Sequence, residues 1–228
     1  MVATDIARNW QDVREAVPSS VEVIAVSKTK PIEAVEAAYA AGARSFGENR
    51  VQELVGKHEA LTDPVSGRSS EFGGLAWHQI GTLQKNKVKY IAPFVGLIHA
   101  VDHESLLAEI DKRAVSCGRR VPVLLQLHIA QESSKFGLSE AELKALLDPL
   151  DRGAWANVEV KGLMGMATFT SDERQVAREF AGLRGLFDRY GPQRGWDTLS
   201  MGMSGDWRIA VEEGSNMVRI GSSIFGAR

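Results

Sequence analysis

The chain has 228 residues, 44% of them hydrophobic and 25% charged, a composition that predicts a folded domain with a sizeable core and excludes intrinsic disorder. The formal net charge of −2 offers no footprint for nucleic acid or an anionic membrane. The first residues contain no apolar signal segment, and Cys117 as the single cysteine excludes an intrachain disulfide or a multi-cysteine metal site. We therefore expect a cytoplasmic protein with no metal, nucleic-acid or membrane partner.

Eight short apolar or β-branched segments alternate with amphipathic segments, which is the pattern of repeated strand and helix units. The predicted strands lie near residues 21–28, 44–48, 76–81, 96–101, 121–129, 158–167, 198–203 and 217–221. Helical periodicity between strands is clear, for example, in Ile32, Val35 and Tyr39. Eight repeats without a dinucleotide-binding glycine motif favour one α/β domain over residues 1–228, a (β/α)₈ TIM barrel, rather than an open doubly wound sheet.

Local signals complete this prediction. Residues 3–16 predict an N-terminal helix, and the short segment after the last strand predicts a truncated eighth helix. Asp102 can cap the helix after the fourth strand, and Ser139 with Glu142 forms a capping-box pattern. Residues 62–74 are rich in glycine and serine, which predicts a mobile insertion.

Lys28 directly follows the apolar, strand-like segment that starts at Val21. A lysine carried by a half-buried strand is costly to keep charged, and a lowered pKa would make its amine a nucleophile for aldehydes. The alternative is a lysine whose aliphatic stem passes along the barrel rim while its charge stays in water. Lys28 is thus a candidate covalent lysine, and the residues around it decide between the two interpretations.

In a parallel barrel the carboxyl ends of all strands lie on one face, which holds the active site. At these ends the sequence places Lys28, Glu48, Asn49, His78, His128, Thr168, Met203, Ser204, Gly205, Arg219, Gly221 and Ser222. Gly205 and Gly221 follow the seventh and eighth strands, where backbone N–H groups commonly bind phosphate in this fold. Ser204 and Ser222 could add hydroxyl donors, although each could instead only cap a following helix.

Arg219 lies two residues before Gly221 on the eighth strand, so strand alternation directs both to the same face. The alternative for an inward arginine is an ion pair with an acid such as Glu48. A lysine amine, a phosphate site and an inward arginine together suit pyridoxal 5′-phosphate (PLP), with Lys28 as the Schiff-base lysine and Arg219 facing the pyridine nitrogen. A cation at that position keeps the nitrogen unprotonated and weakens carbanion stabilisation, so the reaction scope should be narrow.

Sequence words along nearly the whole chain indicate a family. They are Ala25-Val-Ser-Lys-Thr-Lys-Pro31, Phe46-Gly-Glu-Asn49, Val51-Gln-Glu53, Trp77-His78, Ile80-Gly81, Leu83-Gln84, Asn86-Lys87, Leu199-Ser-Met-Gly-Met-Ser204, Met217-Val-Arg-Ile-Gly221 and Ile224-Phe-Gly-Ala-Arg228. With these words the chain resembles the pyridoxal phosphate homeostasis proteins. The resemblance implies a barrel similar to the N-terminal domain of alanine racemase, with PLP as its cofactor. Position by position it implies Lys28 for the Schiff base, Arg219 for the pyridine nitrogen, and for the phosphate Ser204, Gly205, Gly221 and Ser222.

The resemblance also implies that Asn49 and His78 line the cofactor or its entrance. Arg50, Gln79 and Thr82 stand where we expect aromatic or histidine residues, so the entrance contacts differ in this chain. For function, the resemblance implies handling and buffering of intracellular PLP rather than an established turnover reaction. Delivery would involve transient contact with PLP-dependent apo-enzymes, and we expect a monomer.

An alternative function is that of a PLP-dependent amino-acid racemase or lyase with weak activity. Such an enzyme needs a second acid or base on the opposite face of the substrate α-carbon, which racemases of this lineage take from an additional β domain that is not expected here. His78 or His128 could substitute, since the three tyrosines fall in helical segments: Tyr39, Tyr90 and Tyr190. A cofactor-free phosphosugar isomerase would need a glutamate base at a strand end, and only Glu48 is a candidate.

Overall fold

Eight parallel strands follow one another in chain order around a closed barrel. The computed structural model describes residues 3–62, 71–132 and 136–226. The strands are β1 (Glu22–Val26), β2 (Ser45–Glu48), β3 (Ala76–Gln79), β4 (Leu97–Val101), β5 (Val121–Leu127), β6 (Val158–Gly165), β7 (Thr198–Met203) and β8 (Met217–Ile220). Strand β8 pairs with β1, with Ile24 opposite Arg219, and this pairing closes the sheet. The predicted (β/α)₈ barrel is confirmed, and several strands end one or two residues earlier than predicted.

Helices lie between successive strands and at both ends of the described chain. They are α1 (Ala3–Ala16), α2 (Ile32–Ala40), α3 (Val51–Thr62), α4 (Val88–Ile91), α5 (Glu104–Cys117), α6 (Glu140–Asp151), α7 (Glu173–Tyr190), α8 (Trp207–Glu212) and α9 (Ser222–Phe225). Short 3₁₀ turns at Lys85–Lys87 and Pro192–Arg194 precede α4 and β7. Among the described residues, no helix combines the length and the apolar character needed to cross a membrane.

The core has two parts because strand side chains alternate between the two faces of the sheet. Outward-facing residues such as Phe46 of β2 join helix residues such as Leu107 and Phe180 in one large buried cluster. A smaller cluster fills the barrel interior with Ile24, Leu97, Ala100, Leu124, Met164 and Met217. Burial of a large aliphatic side chain such as Ile24 or Leu124 contributes roughly 1.5–3 kcal/mol relative to leaving it exposed. The interior is therefore a packed core rather than a channel, and ligands are left to the ends of the barrel.

The N-terminal helix and the short last helix cover the barrel together. Helix α1 packs against α2 and α9, and the Asn9 amide donates a hydrogen bond of 3.0 Å to the backbone carbonyl of Ile224. Helix α9 has only four residues. Both predictions for the chain ends, an N-terminal helix over residues 3–16 and a truncated eighth helix, are confirmed.

Of the two predicted helix N-caps, the one at Ser139 is confirmed and the one at Asp102 is wrong. Ser139 and Glu142 form the predicted capping box at α6. The prediction for Asp102 is wrong: His103 is the residue before α5, no side chain caps this helix, and the Asp102 carboxylate lies 2.6 Å from Nδ1 of His103 instead. Of the insertion predicted over residues 62–74, residues 63–70 lie outside the described residues.

Candidate functional site

A cavity of about 290 Å³ lies at the carboxyl end of the barrel, beside the ends of β1, β7 and β8. Its lining residues are Val26, Lys28, Thr29, Lys30, Ile80, Met203, Ser204, Gly205, Arg219, Gly221, Ser222 and Gly226. Seven of the nine predicted cofactor-binding residues are among them: Lys28, Met203, Ser204, Gly205, Arg219, Gly221 and Ser222. Of the described lining residues, three carry a positive charge and none is acidic. This charge distribution favours an anionic ligand.

Lys28 stands in a tight turn that leaves β1. The strand ends at Val26, and the backbone N–H of Lys30 donates a hydrogen bond of 3.0 Å to the carbonyl of Ser27. Thr29 within this turn has a φ of +64°, a left-handed conformation that is unusual for a β-branched residue. The turn leaves Lys28 half-buried at the cavity wall.

The end of β7 explains the glycine in the word Leu199-Ser-Met-Gly-Met-Ser204. Gly202 has a φ of +91°, and a Cβ there would lie 2.6 Å from Cβ of Ala210 and 2.9 Å from Cα of Trp207. Only glycine allows this conformation together with the close approach of α8. The backbone N–H of Met203 then donates a hydrogen bond of 2.6 Å to the Asp206 carboxylate. This contact fixes the loop that brings residues 203–205 to the cavity.

The loops after β7 and β8 form one continuous cradle. The Gly221 N–H donates a hydrogen bond of 3.1 Å to the hydroxyl oxygen of Ser204, which joins the two loops directly. A Cβ built on Gly205 would meet no atom within 4 Å, so open space lies over this part of the backbone. Ser222 is exposed at the same cavity. Hydroxyl and backbone N–H donors around an open, positively charged space fit a phosphate group.

Arg219 is the most deeply buried cation at the cavity, with 4% of its surface exposed. Its guanidinium donates to the Ser200 hydroxyl at 2.6 Å and carbonyl at 3.0 Å, and to the Gly165 carbonyl at 3.0 Å. Burial lowers the pKa of Arg219 to about 10, against the opposing attraction of the Asp206 carboxylate. Arg219 therefore keeps its positive charge at neutral pH. The alternative of an ion pair with Glu48 is wrong, because these hydrogen bonds direct Arg219 to β6 and β7.

His78 and Asn49 are not among the residues that line the cavity. Strand β3 ends at Gln79, so His78 lies within the strand and faces the barrel interior, where its Nδ1 is 3.0 Å from Nε2 of His99. Burial lowers the pKa of His78 to about 4. Asn49 is half-buried, and its backbone carbonyl accepts a hydrogen bond of 3.0 Å from the Gln79 amide.

Other candidates also lie away from the cavity. His128 is exposed, with Nε2 3.0 Å from the Glu132 carbonyl. Glu48 is fully buried behind β1, where its carboxylate accepts hydrogen bonds from Ser27 and Lys57, so it is not placed as the base of an isomerase. The tyrosines lie in α2, α4 and α7, as predicted. No cluster of His, Cys, Asp or Glu within the described part of the chain could hold a metal ion.

Several lining residues escaped the sequence analysis. Val26, Thr29 and Lys30 flank Lys28, and their position in the same sequence word was the available signal. Ile80 directly follows β3. It was not predicted at the rim, because the strand was predicted to extend to residue 81. Gly226 lies in the last sequence word, which could have indicated it.

Comparison with known proteins shows where this arrangement recurs. The family model for the N-terminal domain of alanine racemase matches residues 3–228. A curated relative from Vibrio alginolyticus, named pyridoxal phosphate homeostasis protein, is 39% identical over 214 residues, which are 92% of this chain and 88% of the relative. The solved structure of PipY from Synechococcus elongatus with PLP bound is 35% identical, has a TM-score of 0.86, and aligns over 97% of this chain and all of PipY.

A more distant comparison shows the fold alone. The alanine racemase of Bartonella henselae is 15% identical with a TM-score of 0.74. The alignment covers 99% of this chain and 59% of the racemase chain. The barrel is therefore shared with racemases, whereas the sequence is much closer to the relatives named above.

Proposed function

The chain belongs to the pyridoxal phosphate homeostasis proteins, a group with the fold of the alanine racemase N-terminal domain, and we propose that it binds PLP covalently at Lys28 and buffers or delivers the cofactor. The single observation that carries this proposal is the convergence of Lys28, Arg219 and the loops after β7 and β8 on one cavity. PLP bound to PipY, a protein of the same fold and 35% identity, supports it. The relatives' name refers to homeostasis of the cofactor and to no reaction.

The predicted cofactor-binding residues that line the cavity have the following proposed roles. Lys28 forms a C=N bond with the aldehyde carbon of PLP, and the aldehyde oxygen leaves as water. The hydroxyls of Ser204 and Ser222 and the backbone N–H groups of Gly205 and Ser222 hold the phosphate, while the Gly221 N–H holds the Ser204 hydroxyl in place. Met203 packs at the cavity wall, where it is 38% exposed. Asn49 and His78 have no direct cofactor contact in this proposal, because the structure places them outside the cavity lining.

Arg219 determines how the bound cofactor behaves. The PLP ring supplies an electron-withdrawing group whose strength depends on protonation of its nitrogen. The buried guanidinium stays charged near neutral pH and disfavours a second positive charge on that nitrogen. The site therefore binds the cofactor without making it a strong electron sink, which suits a carrier better than an enzyme.

Release of a covalently bound cofactor requires access for water or an incoming amine. Lys28 is half-buried rather than enclosed, and Thr29, Met203, Gly205 and Ser222 beside it are exposed. An open cavity of this kind supports exchange with solution or with a PLP-dependent apo-enzyme. We further propose that the protein acts as a monomer in the cytoplasm, where its free Cys117 would remain reduced.

A weak racemase or lyase activity is the second candidate, and the shared racemase fold is the observation that favours it. It would require an acid or base opposite Lys28. The described lining residues include no histidine, tyrosine or carboxylate. A carrier function therefore fits the cavity better.

Transfer to an acceptor tests the proposed function. Protein loaded with PLP and freed of excess cofactor is mixed with a PLP-dependent apo-enzyme, and recovery of that enzyme's activity is followed. We expect recovery at a rate that depends on loaded protein, with no racemisation of alanine by the loaded protein itself. Stable retention of PLP without transfer, together with amino-acid racemisation, would favour the enzyme.

A further inference from the structure

Behind the turn that carries Lys28 lies a buried ionic cluster, formed by Glu48, Glu53 and Lys57. The Lys57 side chain of α3 is 8% exposed. Its ammonium donates three hydrogen bonds: 2.8 Å to the Ser27 carbonyl, 2.7 Å to Glu48 and 2.9 Å to Glu53. An ammonium has three donors, so these contacts account for all of them. None of the three cluster residues lines the cavity.

The ionic cluster contacts the backbone on both sides of Lys28. On one side, Lys57 binds the carbonyl of Ser27, and the Ser27 hydroxyl donates a hydrogen bond of 2.6 Å to the Glu48 carboxylate. On the other side, the Thr29 N–H donates a hydrogen bond to the same Glu53 oxygen that Lys57 contacts. Lys28 is thus bracketed by Ser27, which is bonded to both α3 and β2, and Thr29, which is bonded to α3.

The bracket acts on a strained turn. Thr29 has a φ of +64°, a conformation that is strained for a non-glycine residue and persists only where the surroundings hold it. The hydrogen bond from its N–H to Glu53 holds it from outside the turn, in addition to the Lys30–Ser27 hydrogen bond within the turn. Without the Glu53 contact the turn would relax, and the Cα–Cβ direction of Lys28 would change with it.

Stability alone is a weak explanation for the ionic cluster. Burial raises the pKa of Glu48, an effect that Lys57 opposes, and the second Glu48 oxygen is buried with no hydrogen-bond partner among the described residues. Burying charges is costly, and apolar replacements of such pairs are often as stable or more so. A cluster of this kind at one particular turn is therefore better explained by what it positions.

We propose that Lys57, together with Glu48 and Glu53, positions Lys28 for bond formation with the aldehyde carbon of PLP, an inference that rests on the proposed function. Lys57 and Glu53 are positioning residues, since they touch the backbone beside Lys28 and not the cofactor. A displacement of about 1 Å at a reacting atom can lower a rate by about a hundredfold. Loss of the bracket should therefore slow formation of the bond at Lys28 more than it weakens the fold.

Glu53→Ala is the main test variant. The Glu53 side chain is 21% exposed. Water can therefore solvate the Thr29 N–H and the Lys57 ammonium in the variant, and we expect the protein to keep its fold. Glu109→Ala is the matched control, because Glu109 is 20% exposed and forms the same i,i+4 pair, with Arg113 on α5. The measurements are the rate at which a visible absorption band forms after mixing with PLP, the equilibrium affinity for PLP, and the melting temperature of the protein without PLP.

We expect Glu53→Ala to lower the rate of bond formation by about ten- to a hundredfold, while Glu109→Ala stays within about twofold of the unaltered protein and has a similar melting temperature. Glu53→Gln keeps a side-chain oxygen for the Thr29 N–H and should recover most of the rate. Lys57→Met combined with Glu48→Gln removes the ammonium without leaving a buried charge, and should slow the reaction as Glu53→Ala does.

The outcomes separate this inference from the proposed function. Formation of the band in the unaltered protein, with equal rates in Glu53→Ala and Glu109→Ala, would overturn the positioning role alone. Absence of the band in the unaltered protein would overturn the proposed function and the positioning role with it. A slow Glu53→Ala whose rate Glu53→Gln recovers supports both.

Discussion

The guanidinium of Arg219 donates a hydrogen bond of 2.6 Å to the hydroxyl of Ser200, which is fully buried in the barrel interior. The Ser200 hydroxyl also lies 3.4 Å from Nδ1 of His99, and Nε2 of His99 lies 3.0 Å from Nδ1 of His78. Arg219 has no acceptor, so Ser200 accepts from it and keeps its own proton to donate. In the pattern that satisfies these contacts, the Ser200 hydroxyl donates to Nδ1 of His99, and Nε2–H of His99 donates to Nδ1 of His78. Both histidines are then neutral and protonated on Nε2.

Neutral buried histidines predict a specific loss of stability in acid. Burial lowers the pKa of His78 to about 4 and that of His99 well below its usual value. Above about pH 6.5 both are neutral in the folded and unfolded states, and neither affects stability. As the pH falls from about 6.5 towards 4, the unfolded state gains protons first, so stability falls by up to about 1.4 kcal/mol per pH unit for each histidine.

Urea unfolding of the protein and of His78→Gln at pH 7.5, 6.0 and 5.0 measures this effect. The difference in free energy of unfolding between the two proteins should change with pH, because the variant lacks the proton uptake of His78 on unfolding. His103→Gln is the control, since the His103 side chain lies at the surface beside Asp102 and is 47% exposed. If His78→Gln and His103→Gln showed the same pH dependence, the assignment of His78 as a neutral buried group would be wrong.

Arg219→Gln tests the role of the buried cation. Glutamine keeps a donor for Ser200 but removes the charge, so protonation of the PLP ring nitrogen is no longer disfavoured. We expect the visible spectrum of the loaded variant to change with pH near neutrality, while that of the unaltered protein stays constant. Affinity for PLP should fall about tenfold, because a charge-assisted hydrogen bond is replaced by a weaker neutral one. Arg189→Gln, on the exposed surface of α7, is the control. Spectra of Arg219→Gln that stayed independent of pH would contradict the proposed role.

Gly205→Ala separates ligand binding from folding at the cradle. A Cβ at this position meets no protein atom within 4 Å, so the melting temperature without PLP should change little. The added methyl group occupies space assigned to the phosphate, and the affinity for PLP should fall by about tenfold or more, as measured by absorption titration. Gly185→Ala, in the exposed middle of α7 with equally free surroundings, should leave the affinity unchanged and slightly raise stability. Unchanged PLP affinity in Gly205→Ala would place the phosphate elsewhere.

The sequence was sufficient for the barrel and for most of the cavity. Strand alternation and the order of the strands place Lys28, Arg219 and Gly221 near one another, because β1 and β8 are neighbours in any closed eight-stranded barrel. His78 lies one residue before the end of β3 at Gln79, but its side chain points into the barrel interior against His99. No signal in the sequence indicates this histidine pair.

The ionic cluster could not be predicted from the sequence. A lysine in an amphipathic helix usually indicates an exposed position, and the burial of Lys57 depends on how α3 packs over the turn between β1 and α2. Asp102 shows the same limitation at a helix start. Several residues near a helix start can act as caps, and only the backbone conformation at His103 selects the one that precedes the helix.

The covalent role of Lys28 is the central claim, and chemical trapping measures it directly. The protein is loaded with PLP, reduced with borohydride and digested, and the modified peptide is identified by mass spectrometry for the unaltered protein, Lys28→Ala and Lys30→Ala. We predict a stable adduct on Lys28 in the unaltered protein and in Lys30→Ala, and none in Lys28→Ala. Undiminished labelling of Lys28→Ala, or an adduct confined to Lys30, would contradict the proposed site.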